Sequence, residues 1–293
     1  MILVMVVGFA SLILMSVKAY HNAPPIPAKA ITSGAEIVYT ADEVSSGQAV
    51  FLKYGLMNNG TIWGHGGMLG PDFSAQTLHN LALFDAERTA RERFGSAYDE
   101  LDSRQRGTVD GEVAAKFKAN RYDPASGTLT LLPEGKAAFD SQVAYWTDYF
   151  LDPARNGGLA KGSVSDPKEL RELTAFFVWT AWAAAAERPG TRHSYTNNFP
   201  YDPLVGNHPT GATVLWSAIS LLFLLGGIGI VLLAFGKFDY LGWHGVPPPA
   251  VPSPVAAGAT RISPAQADRH RASLVLHRPD AVRHGARGHV LGP

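Results

Sequence analysis

The 293-residue sequence predicts a mainly α-helical fold, with one helical domain outside the membrane held between two transmembrane helices. Three observations predict it. Two runs carry no charge, residues 1–17 (MILVMVVGFASLILMSV) and residues 214–235 (VLWSAISLLFLLGGIGIVLLAF). The second meets the ~20 apolar residues needed to cross a ~30 Å hydrocarbon core, and the first reaches the lower limit of about 17. The stretch between them repeats apolar residues at helical spacing. The charge, zero in sum, is also unevenly divided: 18 basic and 22 acidic residues lie between the runs, and 7 basic and 3 acidic residues follow Phe235. Positive charge collects in short cytoplasmic segments, so residues 236–293 are expected inside and residues 18–213 outside, with both termini cytoplasmic.

The first run is read as an anchor. A cleaved signal peptide begins with basic residues and ends at a small-residue cleavage site. Here no basic residue precedes the run, and Lys18-Ala19-Tyr20-His21 is a poor cleavage motif. NAPPIPAKA follows and should be extended, since proline fixes its φ angles. Asp42 and Glu43 favour a helix start at Ala41, with Val44, Phe51 and Tyr54 on one face to Tyr54. Ser74 can cap a helix running to about Phe94, carrying Leu78, Leu81, Ala82 and Phe84 inward and Glu87 one turn from Arg91. Residues 99–121 are charged and interrupted by glycine, which suggests short surface helices. YDPASGTLTLLP reads as a turn and a short extended segment. Pro133 opens the next helix, with Phe139, Val143, Trp146 and Phe150 on one side.

The last external helix has the fullest set of signals. Asp166 is its cap, Pro167 its first residue, and Leu170, Leu173, Thr174, Phe177 and Ala181 its apolar series; Gly190 lies past its end. LTAFFVWTAWAAAA is apolar on all sides but only 14 residues long, so it reads as a buried core helix rather than a membrane span. Trp179 and Trp182 are expected in that core rather than as a stacking platform. In the second membrane run, Gly226, Gly227 and Gly229 either permit close helix packing or reflect ordinary glycine tolerance in lipid.

Composition removes several chemistries. The chain has no cysteine, which excludes disulfides, thiolate catalysis, Cys-ligated zinc and thioether-attached haem. Neither membrane run contains His, Asp, Glu, Lys or Arg, so no side chain there can ligate haem or metal. No P-loop, dinucleotide fingerprint or G-x-S-x-G is present, and no nucleic-acid partner is expected. Five histidines precede the second run, at positions 21, 65, 79, 193 and 208, without the spacing of a zinc helix. Among them His65, between Gly64 and Gly66, is either a ligand or pH-responsive group, or a hydrogen-bonded structural residue.

GQAVFLKYGLMNNGTIWGHGGMLGPDFS resembles the opening of a cytochrome c domain, and more narrowly that of the haem c subunit of nitric oxide reductases. Aligning Thr61 and Gly64-His65-Gly66 on that pattern places Leu56, Met57, Asn58, Asn59 and Gly60 where Cys-x-x-Cys-His would stand. Both sulfurs and the proximal histidine are replaced, as in the single-chain, quinol-dependent nitric oxide reductases. YGLMNNGTIWGHG, HSYTNNFPYDPLVGN and LWSAISLLFLLGGIGIVLLAFGKFDYLGW extend the likeness from about Tyr20 to Trp243.

The resemblance implies a haem-free cytochrome c-like domain over residues 18–213, part of an enzyme reducing two NO to N2O with electrons from quinol. It implies b-type haems, non-haem iron and calcium in the complete enzyme, and none of these cofactors in this chain. The segment Gly66 to Met68, where Met68 stands for the family's aromatic, is expected either to be a plain turn packing against the membrane domain or to contact calcium at Gly66 or Met68 through backbone carbonyls. The implied partners are a haem-copper-oxidase-like catalytic membrane domain and membrane lipid, and the implied location is the bacterial inner membrane with the domain on the periplasmic side.

Family members continue into about a dozen further membrane helices. Here residues 236–293 show no further membrane run; residues 247–260 are rich in Pro, Ala and Gly, and five histidines and six arginines lie between His244 and Pro293. Such a tail suits a flexible basic segment at anionic lipid, a metal-binding tract, or an out-of-frame reading of the linker to the catalytic domain. The chain alone is therefore expected to be a structural, catalytically inactive fragment, or alternatively a free-standing membrane-anchored binding or sensor module.

Overall fold

Residues 2–245 are described by the computed structural model, so most of the tail expectations, from residue 246 on, lie outside the described residues. The chain divides inside its last helix into two units, Met1–Leu222 and Phe223–Pro293. Each is taken by itself.

The first unit opens with α1, Ile2–His21, which has no buried residue. It continues past Val17 because polar groups extend the helical bonding: the Asn22 amide nitrogen donates to the Lys18 carbonyl at 2.8 Å. A helix apolar on every side, with no residue buried among the described residues, suits lipid; it is long and apolar enough to cross a membrane.

Strands β1 (Lys29–Ile31) and β2 (Ile37–Thr40) follow. Their antiparallel pair joins β6 (Thr128–Thr130), which lies parallel to β1 and antiparallel to β5 (Tyr122–Asp123), giving the order β2-β1-β6-β5. The end of the NAPPIPAKA segment, Lys29 and Ala30, is extended as part of this sheet.

Helix α2, Ala41–Lys53, starts at a reciprocal cap in which Thr40 and Glu43 satisfy each other's backbone N–H groups. It crosses α6, Pro167–Ala185, at Gly47, where any Cβ would run into the Glu172 carbonyl. Arg171 bonds Glu43 at 3.0 Å and the Val38 carbonyl at 2.6 Å, while Glu169 accepts from Lys53 at 2.6 Å and from Tyr54 at 2.7 Å. The α6 helix is the hub of the unit: it touches α2, α3 (Phe73–Phe94), α4 (Ser103–Lys118) and α5 (Gly135–Leu151). Leu170, Leu173, Thr174, Phe177 and Ala181 are all buried, with Asp166 capping and Pro167 leading, so the short apolar stretch is core. Trp179 is buried and Trp182 partly buried in the same core.

Three sequence expectations are corrected. The cap of α3 is Asp72, not Ser74, because the carboxylate reaches the Ala75 N–H at 2.8 Å and Ser74 is already inside the helix. Residues 103–118 form one continuous helix rather than several. Asp102 and Gln105 close its start, and Val109 and Val113 are buried one turn apart, which outweighs Gly107 and Gly111. Helix α5 begins at Gly135, not Pro133, since Leu132 to Glu134 form a turn closed by the Gly135 N–H.

In the second unit, the end of α7 (Gly211–Leu232) passes into a wider turn at Leu233–Lys237. Phe235 packs edge-on to Tyr240 at 5.7 Å and Trp243 at 5.3 Å. The span Gly211–Lys237 is long and apolar enough to cross a membrane. Gly226, Gly227 and Gly229 are each exposed on open space, where a Cβ would meet nothing.

Candidate functional site

The segment from Tyr54 to Asp72 is built by backbone packing at glycines. Helix α2 ends at Tyr54, Gly55 turns with φ of 61°, and Leu56–Asn58 form a single 3-10 turn. A two-residue hairpin follows, β3 (Thr61–Ile62) and β4 (His65–Gly66), with Trp63 and Gly64 both at positive φ in its turn. The Asp72 carboxylate ties the hairpin to α3: it accepts from Thr61 Oγ1 at 2.7 Å, the Gly64 N–H at 2.6 Å, the Ala75 N–H at 2.8 Å and the Ser74 hydroxyl.

The five residues at the Cys-x-x-Cys-His positions have distinct places. Leu56 is fully buried in the core, while Met57 and Asn58 face outward. Asn59 is only 4 % exposed. Its Nδ2 donates to the carbonyls of Asn156 at 3.1 Å and Gly157 at 2.9 Å, Tyr149 donates to its Oδ1 at 3.4 Å, and its own carbonyl accepts from Leu69 and Gly70. Gly60 is the tightest position: a Cβ there would overlap the Pro71 carbonyl oxygen and stand 2.6 Å from the Phe73 ring. An imidazole therefore has no room at residue 60.

Behind Gly60 the interior is filled by rings. Phe73 is fully buried and stacks on Phe177 with centroids 4.8 Å apart. Phe51, Trp146, Tyr149 and Phe150 surround it at 5.4 to 6.4 Å, and Trp146 donates to Thr77 Oγ1 at 3.2 Å. Close-packed protein interiors leave few voids larger than a water molecule. With no thiol, no imidazole at residue 60 and this aromatic filling, the residues present do not fit a c-type haem on the Leu56–Gly60 turn.

The outer edge of the segment is exposed. Gly66, at φ of 143°, and Gly67 lie against the backbone of Met57 to Gly60, and the Gly67 N–H donates to the Met57 carbonyl at 2.6 Å. Met68 and Leu69 then project with 91 % and 76 % of their surface exposed. His65 is also exposed, and no hydrogen bond to its ring occurs among the described residues, which corrects the expectation of a hydrogen-bonded structural histidine. No group of three or more His, Asp or Glu side chains converges among the described residues, so a hard cation at Gly66 or Met68 would depend on backbone carbonyls.

Next to this edge lies an open groove of about 450 Å³ lined by Trp63, His65, Tyr195, Phe199 and Tyr201, with Pro24 and Thr213 at its margin. Pro24 stands just beyond α1 and Thr213 in the first turn of α7, so the groove lies close to both helices that can enter the membrane. Its wall, residues 194–207, is held by Lys118, which donates to Asn198 at 3.0 Å and to Asn207. Burial lowers the Lys118 pKa. Asn207 Nδ2 in turn donates to the carbonyls of Ala184 and Pro200 at 2.9 and 2.8 Å, and Asp202 holds His79 at 2.9 Å. Trp63 Nε1 donates to the Thr180 carbonyl at 3.0 Å, and Trp179 Nε1 to the Pro25 carbonyl at 2.9 Å.

Sequence reasoning identified the 56–60 turn and the 64–68 loop but missed Asp72, Asn156 and Lys118. The PD dipeptide before an apolar run is a capping signal and could have pointed to Asp72; Asn156 and Lys118 carry no local signal.

Residues 27–201 match the family model for the cytochrome c-like domain of the nitric oxide reductase protein NorB. No curated protein sequence matches the chain.

Proposed function

The chain belongs to the family of the NorB cytochrome c-like domain of nitric oxide reductase, whose model covers more than half of it, and from that premise we propose that it is the membrane-anchored structural region of a quinol-dependent nitric oxide reductase. In the complete enzyme two NO would be reduced to N2O and water with quinol electrons. The single observation that carries the reading is the Leu56–Gly60 turn: the cytochrome c haem motif is replaced, and Phe73 and its neighbours fill the space against Gly60. A domain in this condition cannot relay electrons through a covalent haem. Its contribution is to cover and align a haem-copper-oxidase-like catalytic membrane domain, whose b-type haems and non-haem iron carry the chemistry.

The contacting surface on this reading is the exposed edge from Gly64 to Leu69 together with Tyr195 to Asn207. Exposed Met68 and Leu69 beside an aromatic groove support it, since apolar groups left in water beside a membrane helix mark a contact surface. Calcium, where the enzyme binds it, would contact the carbonyls of Gly66 and Met68. The domain would face the periplasm from the bacterial inner membrane, in keeping with the excess of acid between the runs and of base after Phe235.

Co-expression with the catalytic membrane domain of a related reductase tests the proposal. Affinity purification through this chain should recover a complex with b-type haem absorbance and NO consumption at an electrode, while the chain alone consumes none. A monodisperse chain that never co-elutes with that domain overturns it and favours the free-standing module.

A further inference from the structure

A second cavity, of about 100 Å³, lies away from the 56–60 turn, between α3, the end of α4, α5, α6 and β6. Its walls are apolar, among them Leu81, Phe84, Leu129, Phe139, Val178 and Trp182. Its rim carries charge. Asp85 is 4 % exposed and is paired with Lys116 at 2.8 Å and Arg88 at 2.8 Å, so it is already neutralised. Arg121, on the same rim, is half-buried. Its Nη1 donates to the Lys116 carbonyl at 2.7 Å and the Ala119 carbonyl at 3.4 Å, and no carboxylate among the described residues forms an ion pair with it. Glu134, the other acid on the rim, is exposed and unpaired with it.

A cationic fork at the mouth of an apolar cavity suits a ligand with an anionic head and an apolar body. The Nε–Nη2 edge of Arg121 matches the two oxygens of a carboxylate. Size sets the body: an engineered apolar cavity of about 150 Å³ holds a benzene ring, so this one takes a chain of a few carbons and not the acyl chain of a lipid. We infer that this cavity binds a short-chain monocarboxylate, tail inside and carboxylate on Arg121. The site stands apart from the surface proposed above and does not depend on it. Burial lowers the Arg121 pKa, and the nearby charge of Asp85 offsets this only in part.

The test uses the full chain in lipid nanodiscs and fluorine NMR of terminally trifluorinated ligands, with empty nanodiscs as the blank. The expected result is saturable binding of the hexanoate above the blank. Affinity should rise about fourfold per methylene from butanoate and stop rising once the chain outgrows the cavity. Arg121→Gln should weaken hexanoate about tenfold, as befits a lost charge-assisted bond, and leave the matching alcohol unchanged. Ala138→Phe should abolish both by filling the cavity. Binding no greater than the blank overturns the inference, as does equal weakening of acid and alcohol by Arg121→Gln. A steady rise in affinity out to long-chain acids overturns the short-chain assignment in favour of a lipid-derived ligand. If Ala138→Phe fails to fold, the acid-against-alcohol comparison in Arg121→Gln still decides.

Discussion

Replacing Gly60 by alanine adds one methyl group at the point where the haem motif would place its histidine. Residue 60 is not at positive φ, so the substitution strains no backbone angle and its cost is steric. The new Cβ would meet the Pro71 carbonyl oxygen and the Phe73 ring edge, which lies at 2.6 Å. Phe73 cannot retreat, because Phe177 stacks on its face at 4.8 Å and Trp146, Tyr149, Phe150 and Phe51 close the other sides. Overpacking a filled core costs about 1–3 kcal/mol. The backbone oxygen cannot rotate away, so about 2–3 kcal/mol is expected here, a fall in Tm of roughly 4–12 °C for a domain of this size. Near-UV circular dichroism of the full chain during thermal unfolding measures it. Truncating the ring removes one of the two clashes, so Gly60→Ala should cost less in a Phe73→Ala background, although Phe73→Ala alone costs about 3–5 kcal/mol. A Gly60→Ala variant as stable as the parent would refute the claim that the turn is packed shut.

Three further outcomes follow from the same contacts. Asn59→Ala leaves the carbonyls of Asn156 and Gly157 without their donor and should cost about 2–4 kcal/mol by denaturant unfolding, since unpaired buried polar groups cost about 1–3 kcal/mol each. Tyr98 donates to Asp110 at 2.6 Å, and burial, with that carboxylate, pushes its pKa up to about 12 from 10.0. A raised folded pKa means that its contribution is intact below pH 10 and lost as pH rises toward about 12, so Tyr98→Phe should flatten the alkaline fall in stability over that window. Because the chain lacks cysteine, single substitutions report topology cleanly: Met68→Cys should react with a membrane-impermeant maleimide on intact spheroplasts, and Lys237→Cys only after lysis.

Much of the helical framework was legible because its signals are local. Asp42 and Glu43 stand in the first turn of α2, and Asp166-Pro167 opens α6, whose apolar series is buried as its spacing requires. The four-stranded sheet was legible only in its β5–β6 hairpin, the turn and extended segment of YDPASGTLTLLP. Its strands are two to four residues long, and β1 pairs with β6 about a hundred residues away, so no local period reveals the rest. Helix α4 was misread because glycine and charge lower its propensity, while burial of Val109 and Val113 against α3 and α6 supplies the stabilisation from outside the segment. At the site, the replaced motif could be read directly, whereas the filling of its space could not. That depends on Phe73, Trp146 and Phe177 meeting from three helices. The Lys118 clasp on residues 194–207 likewise joins groups 80 or more residues apart.

Haem titration of the purified full chain tests the central claim most directly: that this cytochrome c-like domain has protein where a cytochrome c carries haem. The expected spectrum is that of free haem at every ratio, with no shifted Soret band and no quenching beyond that caused by free haem. A saturable, stoichiometric Soret shift that is lost on substituting residues of the Leu56–Gly60 turn would contradict it.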